Sequence, residues 1–186
     1  MTRGRRAAGR ALVVGVLASA VAGAAFGLYW FQPWKLWQDE TVDEALPGAV
    51  AAAPPSAAAP VPSPDRGAGP RTLAGGDLVS HEHTTSGTAE LVRLADGSHV
   101  IRLADLDTSS GPDLRVWLTD APVKEGKVGW HVFDDGEYVD LGGLKGNKGN
   151  QNYLVPSSVD PTRYTSVSVW CDRFDVSFGA AELVRA

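Results

Sequence analysis

Residues 88–106 read TAELVRLADGSHVIRLADL, and the Asp96-Gly97 pair in their middle decides the fold. Asp-Gly supplies the positive φ that a tight hairpin turn needs. The runs on either side, Thr88–Leu94 and Ser98–Leu106, carry Leu, Val and Ile at strand-like spacing, so a β-hairpin is predicted. Beyond an SSGPD turn, DLRVWLTD (113–120) alternates, with Leu114, Val116 and Leu118 on one face and Arg115, Trp117 and Thr119 on the other. A loop rich in glycine and charge, Ala121 to Gly136, leads on to EYVDLGGL, NQNYLVP, TSVSVWCDRF and DVSFGAAELV. Seven or eight short strands without a helical period predict an all-β domain over residues 77–186, a small β-sandwich or barrel.

The N-terminal part is of another kind. Arg3, Arg5, Arg6 and Arg10 precede a charge-free run from Ala11 to Phe31, long enough to cross a hydrocarbon core of about 30 Å as a helix. Arginines stay on the cytoplasmic side, and YWFQPW (29–34) suits the far headgroup layer. Residues 1–10 therefore read as a cytoplasmic basic tail, 11–31 as a single-pass anchor in the cell membrane, and the remainder as extracytoplasmic. A cleaved leader is the competing reading, since Ala20-Val21-Ala22 and Ala22-Gly23-Ala24 have the A-x-A form. The apolar run continues through both sites, which favours the anchor. From residue 32 to 76 the chain becomes acidic (Asp39, Glu40, Asp43, Glu44) and then Ala/Pro-rich, the composition of a semi-rigid, extended linker. A net charge of −5 over 186 residues, with the arginine cluster assigned to the anchor, gives no footprint for nucleic acid.

Cys171 is the only cysteine. In TSVSVWC it shares a strand face with Val167 and Val169, while Ser166, Ser168 and Trp170 share the other. The valine row marks the core face, where a cysteine is a small hydrophobe with a raised pKa. Arg173, two residues on, offers a cation that would instead favour the thiolate. Both readings stay open on the sequence.

Three segments, GPDLRVWLTDAP (111–122), VDLGGLKGNKGNQNYLVP (139–156) and YTSVSVWCDRFDVSFGAAEL (164–183), together resemble the DM13 domain, also described as electron transfer DM13. The resemblance spans about Asp77 to Leu183 and leaves the anchor and linker unexplained. It implies a small β domain whose cysteine works in redox chemistry, as a free thiol or as a ligand to a group such as haem; that cysteine maps onto Cys171. Trp170, Lys145, Asn150, Gln151 and Tyr153 are the accompanying candidates for a cofactor pocket. The alternative for the polar set is turn-capping by the asparagines and packing by Tyr153.

A lone thiol has no resolving partner in the chain, so electron exchange would call on a partner protein, a metal or a haem. His81 and His83, an His-x-His pair, join Cys171 as a candidate metal site, because two histidines and a cysteine are the blue-copper ligand set. The axial methionine is missing, the only methionine being Met1. No Cys-x-x-Cys-His motif is present, so a haem would be non-covalent. His81-Glu82 starts a zinc-protease motif that fails at Thr85, and LGGLKGNKGN lacks the ending of a phosphate loop. Trp117 and Trp170, opposite their aliphatic rows, form a partner surface if that face is exposed. Two functions follow as expectations: a membrane-tethered redox domain centred on Cys171 with a partner protein, or a non-catalytic module binding an envelope component with Cys171 in the core. A classical enzyme is not expected.

Overall fold

A computed structural model describes residues 2–34, 38–48 and 69–186, with side chains from residue 12 onward. The basic side chains of the tail and the Ala/Pro tract at 49–68 lie outside the described residues. The elements are α1 (Thr2–Phe31), β1 (Thr41–Asp43), β2 (Arg71–Asp77), β3 (Val79–Ser80), β4 (Ser86–Arg93), β5 (His99–Asp107), β6 (Leu114–Thr119), β7 (Tyr138–Gly143), β8 (Lys148–Val155), β9 (Ser166–Cys171), β10 (Val176–Glu182) and β11 (Val184–Arg185). Eight strands have six residues or more, and seven of them, β4 to β10, match the runs read from the sequence; β2 is a further long strand, and β1, β3 and β11 are short additions.

The hairpin forms where Asp96-Gly97 requires it. The Asp96 carboxylate accepts from the Ser98 amide (2.9 Å) and hydroxyl (2.6 Å), and Gly97 takes φ +86°, which a side chain would resist. Leu91 then faces Ile101 and Val92 faces Val100. Around this pair grows a six-stranded sheet in the order β1-β8-β5-β4-β2-β11, while β3-β10-β9-β6-β7 form a second, five-stranded sheet. The two stack as a sandwich. Leu91, Ile101, Leu103, Tyr153 and Val155 of the first sheet meet Leu114, Val116, Leu118, Val167, Val169, Cys171 and Phe178 of the second in one buried cluster, the inner-face alternation that sheet-on-sheet packing demands.

Two findings change the reading of the chain. Within the stretch read as linker, β1 and most of β2 are strands. β1 runs parallel to β8, Val42 opposite Gly149, and its acidic flanks are fasteners: Asn147 Nδ2 donates to Asp39 (2.8 Å), Asn150 Nδ2 to Asp43 (2.7 Å) and Lys145 Nζ to Glu44 (2.7 Å). A tripeptide paired through backbone and acid-to-amide bonds carries no hydrophobic period, so composition alone read it as spacer. The outer face of the second sheet is likewise covered. The loop after β6 folds back so that Phe133, Ala121, Val123 and Val132 pack on Trp117 and Trp170 in a second cluster, leaving Trp170 with no exposed surface. The tryptophan face is therefore a secondary core and not a partner surface.

Candidate functional site

Cys171 ends β9 on its inner face, opposite Leu114 of β6 and Val176 of β10. Its side chain has no exposed surface. Burial pushes the thiol above its ordinary range, while the backbone amides of Phe174, Arg173 and Asp113 act against that shift and the negative charge of Glu82 adds to it. The amides belong to the β9–β10 turn and the loop before β6, where the Asp172 amide also donates to the Asp113 carbonyl (3.0 Å). Arg173 does not supply the cation expected from its position. Its guanidinium donates to the carbonyls of Tyr29 (3.4 Å) and Trp30 (2.7 Å) and lies over the Trp30 ring, so it caps the end of α1 and not the sulfur.

The end of the sandwich near Cys171 carries two crevices, one on each side of Ser110-Gly111-Pro112. One, of about 220 Å³, lies between Phe31, Gln32 and Pro33 of the helix end and Glu82, His83, Phe174 and Phe178 of the domain. The other, of about 230 Å³, is lined by Gln38, Glu40, Leu144, Lys145 and Asn147. Cys171 lines neither.

The polar candidates hold structure together. Tyr153 Oη donates to Gln151 Oε1 (2.7 Å), and the Lys145 amide donates to both Tyr153 Oη (3.0 Å) and Gln151 Oε1 (3.2 Å). Gln151 Nε2 returns a bond to the Gly146 carbonyl (2.6 Å). This network pins the LGGLKG turn from beneath, and burial drives the Tyr153 hydroxyl up to about 12. Asn150 Oδ1 accepts from the Asp105 amide (3.0 Å) while its Nδ2 serves Asp43. Of these residues only Lys145 lines a crevice, and its ammonium is taken by Glu44 and the Asn152 carbonyl.

Nor are His81, His83 and Cys171 brought together. The histidines follow β3 in a bend and diverge. His81 lies on the outer side of the second sheet, its Nδ1 2.8 Å from Ser177 Oγ, its Nε2 3.1 Å from the Lys124 carbonyl, and its ring against Phe133. His83 stacks on Phe178 at 3.9 Å, with Nε2 3.5 Å from Glu82. Among the described residues no group of three or more His, Cys, Asp or Glu could hold a metal ion. Copper thus lacks its ligand set. A haem also finds no slot against Cys171, whose side chain is packed between the sheets, and neither group fits these residues.

Tyr138 and Phe133 escaped the sequence reading. Tyr138 stacks on Trp117 at 4.0 Å between ring centroids, Trp117 stacks on Trp170 at 4.8 Å, and Phe133 meets Trp170 edge-on at 6.4 Å. The alternation of EYVDL held the signal: with Val139 and Leu141 packed inward, Tyr138 must fall on the face that bears Trp117.

A family model described as "Electron transfer DM13" matches residues 77–183. No curated protein and no solved structure matches the chain.

Proposed function

The chain belongs to the electron transfer DM13 family, and from that premise we propose that it is a membrane-tethered extracytoplasmic domain passing single electrons through Cys171. The observation that carries this choice is the sealing of the only thiol: Cys171 has no exposed surface, and no second cysteine exists to resolve a disulfide. Thiol–disulfide exchange requires a thiolate in contact with another sulfur; an electron requires no such contact. In the proposed step the S–H bond of Cys171 breaks, one electron goes to an outer-sphere one-electron acceptor and the proton is released to water, leaving a thiyl radical. One electron and one proton from water restore the thiol. The converging amides of Phe174, Arg173 and Asp113 favour electron density on the sulfur. The apolar helix Leu12–Phe31, a candidate membrane span, supports the tether, and the N-terminal arginines support an inside tail.

The rival is an envelope-binding module with Cys171 as core, favoured by the same burial and raised thiol. Voltammetry of the full chain in a lipid film separates the two. A one-electron wave that Cys171→Ser lacks is expected; identical traces from both proteins would leave only the binding module.

A further inference from the structure

We propose that the Tyr138–Trp117–Trp170 stack is an electron route joining the protein surface to the strand that carries Cys171. The idea deepens the redox reading and rests on it for its use, but its geometry stands apart from the thiol. The three rings form one continuous column. Tyr138 and Trp117 are 4.0 Å apart and 11° from parallel, and Trp117 and Trp170 are 4.8 Å apart and 22° from parallel. The column runs from water to core: Tyr138 is 45% exposed, Trp117 4% and Trp170 0%. Its inner end is one peptide bond from Cys171.

Packing alone does not account for the residue types. Among the described residues the buried indole N–H groups of Trp117 and Trp170 find no hydrogen-bond partner, a state that costs stability and that buried tryptophans usually avoid. Phenylalanine would supply an aromatic face here without an orphaned donor, but its ring is much harder to oxidise. The orphaned N–H has a second consequence. An indole radical cation formed there has no adjacent acceptor for its proton among the described residues, so it is refilled by an electron alone. Tyr138 differs, since its half-exposed phenol can release a proton to water, and a neutral tyrosyl radical is the lower-lying state at neutral pH. A hole placed on Trp170 is filled by an electron from Trp117, which is filled by Tyr138 with loss of the phenol proton. The net change is one electron to the oxidant and one proton to water. A surface reductant that returns one electron and one proton resets the column.

The test creates a hole from a label on the loop that covers the tryptophans and looks for its arrival at Tyr138. Val128, 72% exposed on the segment that folds over the tryptophans, is replaced by cysteine in a full-length Cys171→Ala background and labelled with a ruthenium polypyridyl. Flash excitation with an irreversible electron acceptor then gives ruthenium(III) on the protein. A tyrosyl radical is expected by electron paramagnetic resonance, absent in Tyr138→Phe and reduced about tenfold in Trp117→Phe, which keeps an aromatic ring in the column but removes the redox station. An unchanged yield in Trp117→Phe, or no tyrosyl radical in the labelled parent, would overturn the route. Because Cys171 is already absent, neither result depends on whether the thiol is redox-active.

Discussion

Cys171 and His81 are buried titratable groups on opposite faces of the same sheet, and burial moves them in opposite directions. The thiol is held protonated because the interior penalises the thiolate. His81 is held neutral, its ordinary pKa lowered first by desolvation and opposed by the Lys124 carbonyl. The carbonyl fixes the proton on Nε2 and leaves Nδ1 as an acceptor facing Ser177 Oγ, whose one proton is shared between Nδ1 and the Gly179 carbonyl (3.1 Å), with Ser168 Oγ donating to Ser177 in turn (3.0 Å). This line ties the 121–136 loop to β10. The unfolded chain binds a proton at His81 more readily than the folded one. The stability from neutral His81 is therefore fully present above the ordinary histidine pKa and is lost as pH falls from there through the lowered folded-state value. Thermal melts at about pH 7.5 and about pH 5 are expected to show an acid loss that shrinks in His81→Gln; an equal loss in both proteins would mean that other groups carry it.

At the scale of elements, β1 shows how a strand without a hydrophobic pattern is held. Gly149 sits at φ +93° opposite Val42, and a Cβ there would run into the Val42 carbonyl oxygen. Gly149→Ala combines that clash with an unfavourable φ, a cost of about 1–3 kcal/mol. Hydrogen exchange is expected to speed up at residues 41–44 while the β4–β5 hairpin stays protected; unchanged protection at 41–44 would show that the acid-to-amide bonds hold β1 by themselves. The sequence was legible where backbone and hydrophobic period agree. Asp96-Gly97, the alternation of DLRVWLTD, and the inward row of Val167, Val169 and Cys171 all appear in the structure as read. It was misleading where long-range pairing decides. Asp39, Asp43 and Glu44 looked like spacer because their partners lie about a hundred residues on. Trp117 and Trp170 looked like a surface because the loop that covers them has no period, and Arg173 looked like a partner for the thiol because spacing cannot show that α1 claims it.

At the scale of the molecule, the apolar helix and the sandwich meet through Arg173 on the Tyr29 and Trp30 carbonyls and Phe31 stacked on Phe174 at 5.8 Å. The basic side chain satisfies carbonyls left open at a helix C-terminus. The contact sets the Cys171 end of the domain beside the C-terminal end of the candidate membrane span, with the aromatic column on the outer face of the same sheet. Our account of these parts is that the chain's single thiol stores one electron without leaving the core. The most direct measurement is an electron count: anaerobic titration of the full-length protein and of Cys171→Ser and Cys171→Ala with a one-electron oxidant such as hexachloroiridate(IV), followed by back-titration with a reductant. The account predicts that the wild type gives up and recovers one equivalent more than either folded variant. Equal counts in all three proteins would contradict it and leave Cys171 as a packing residue of an envelope-binding domain.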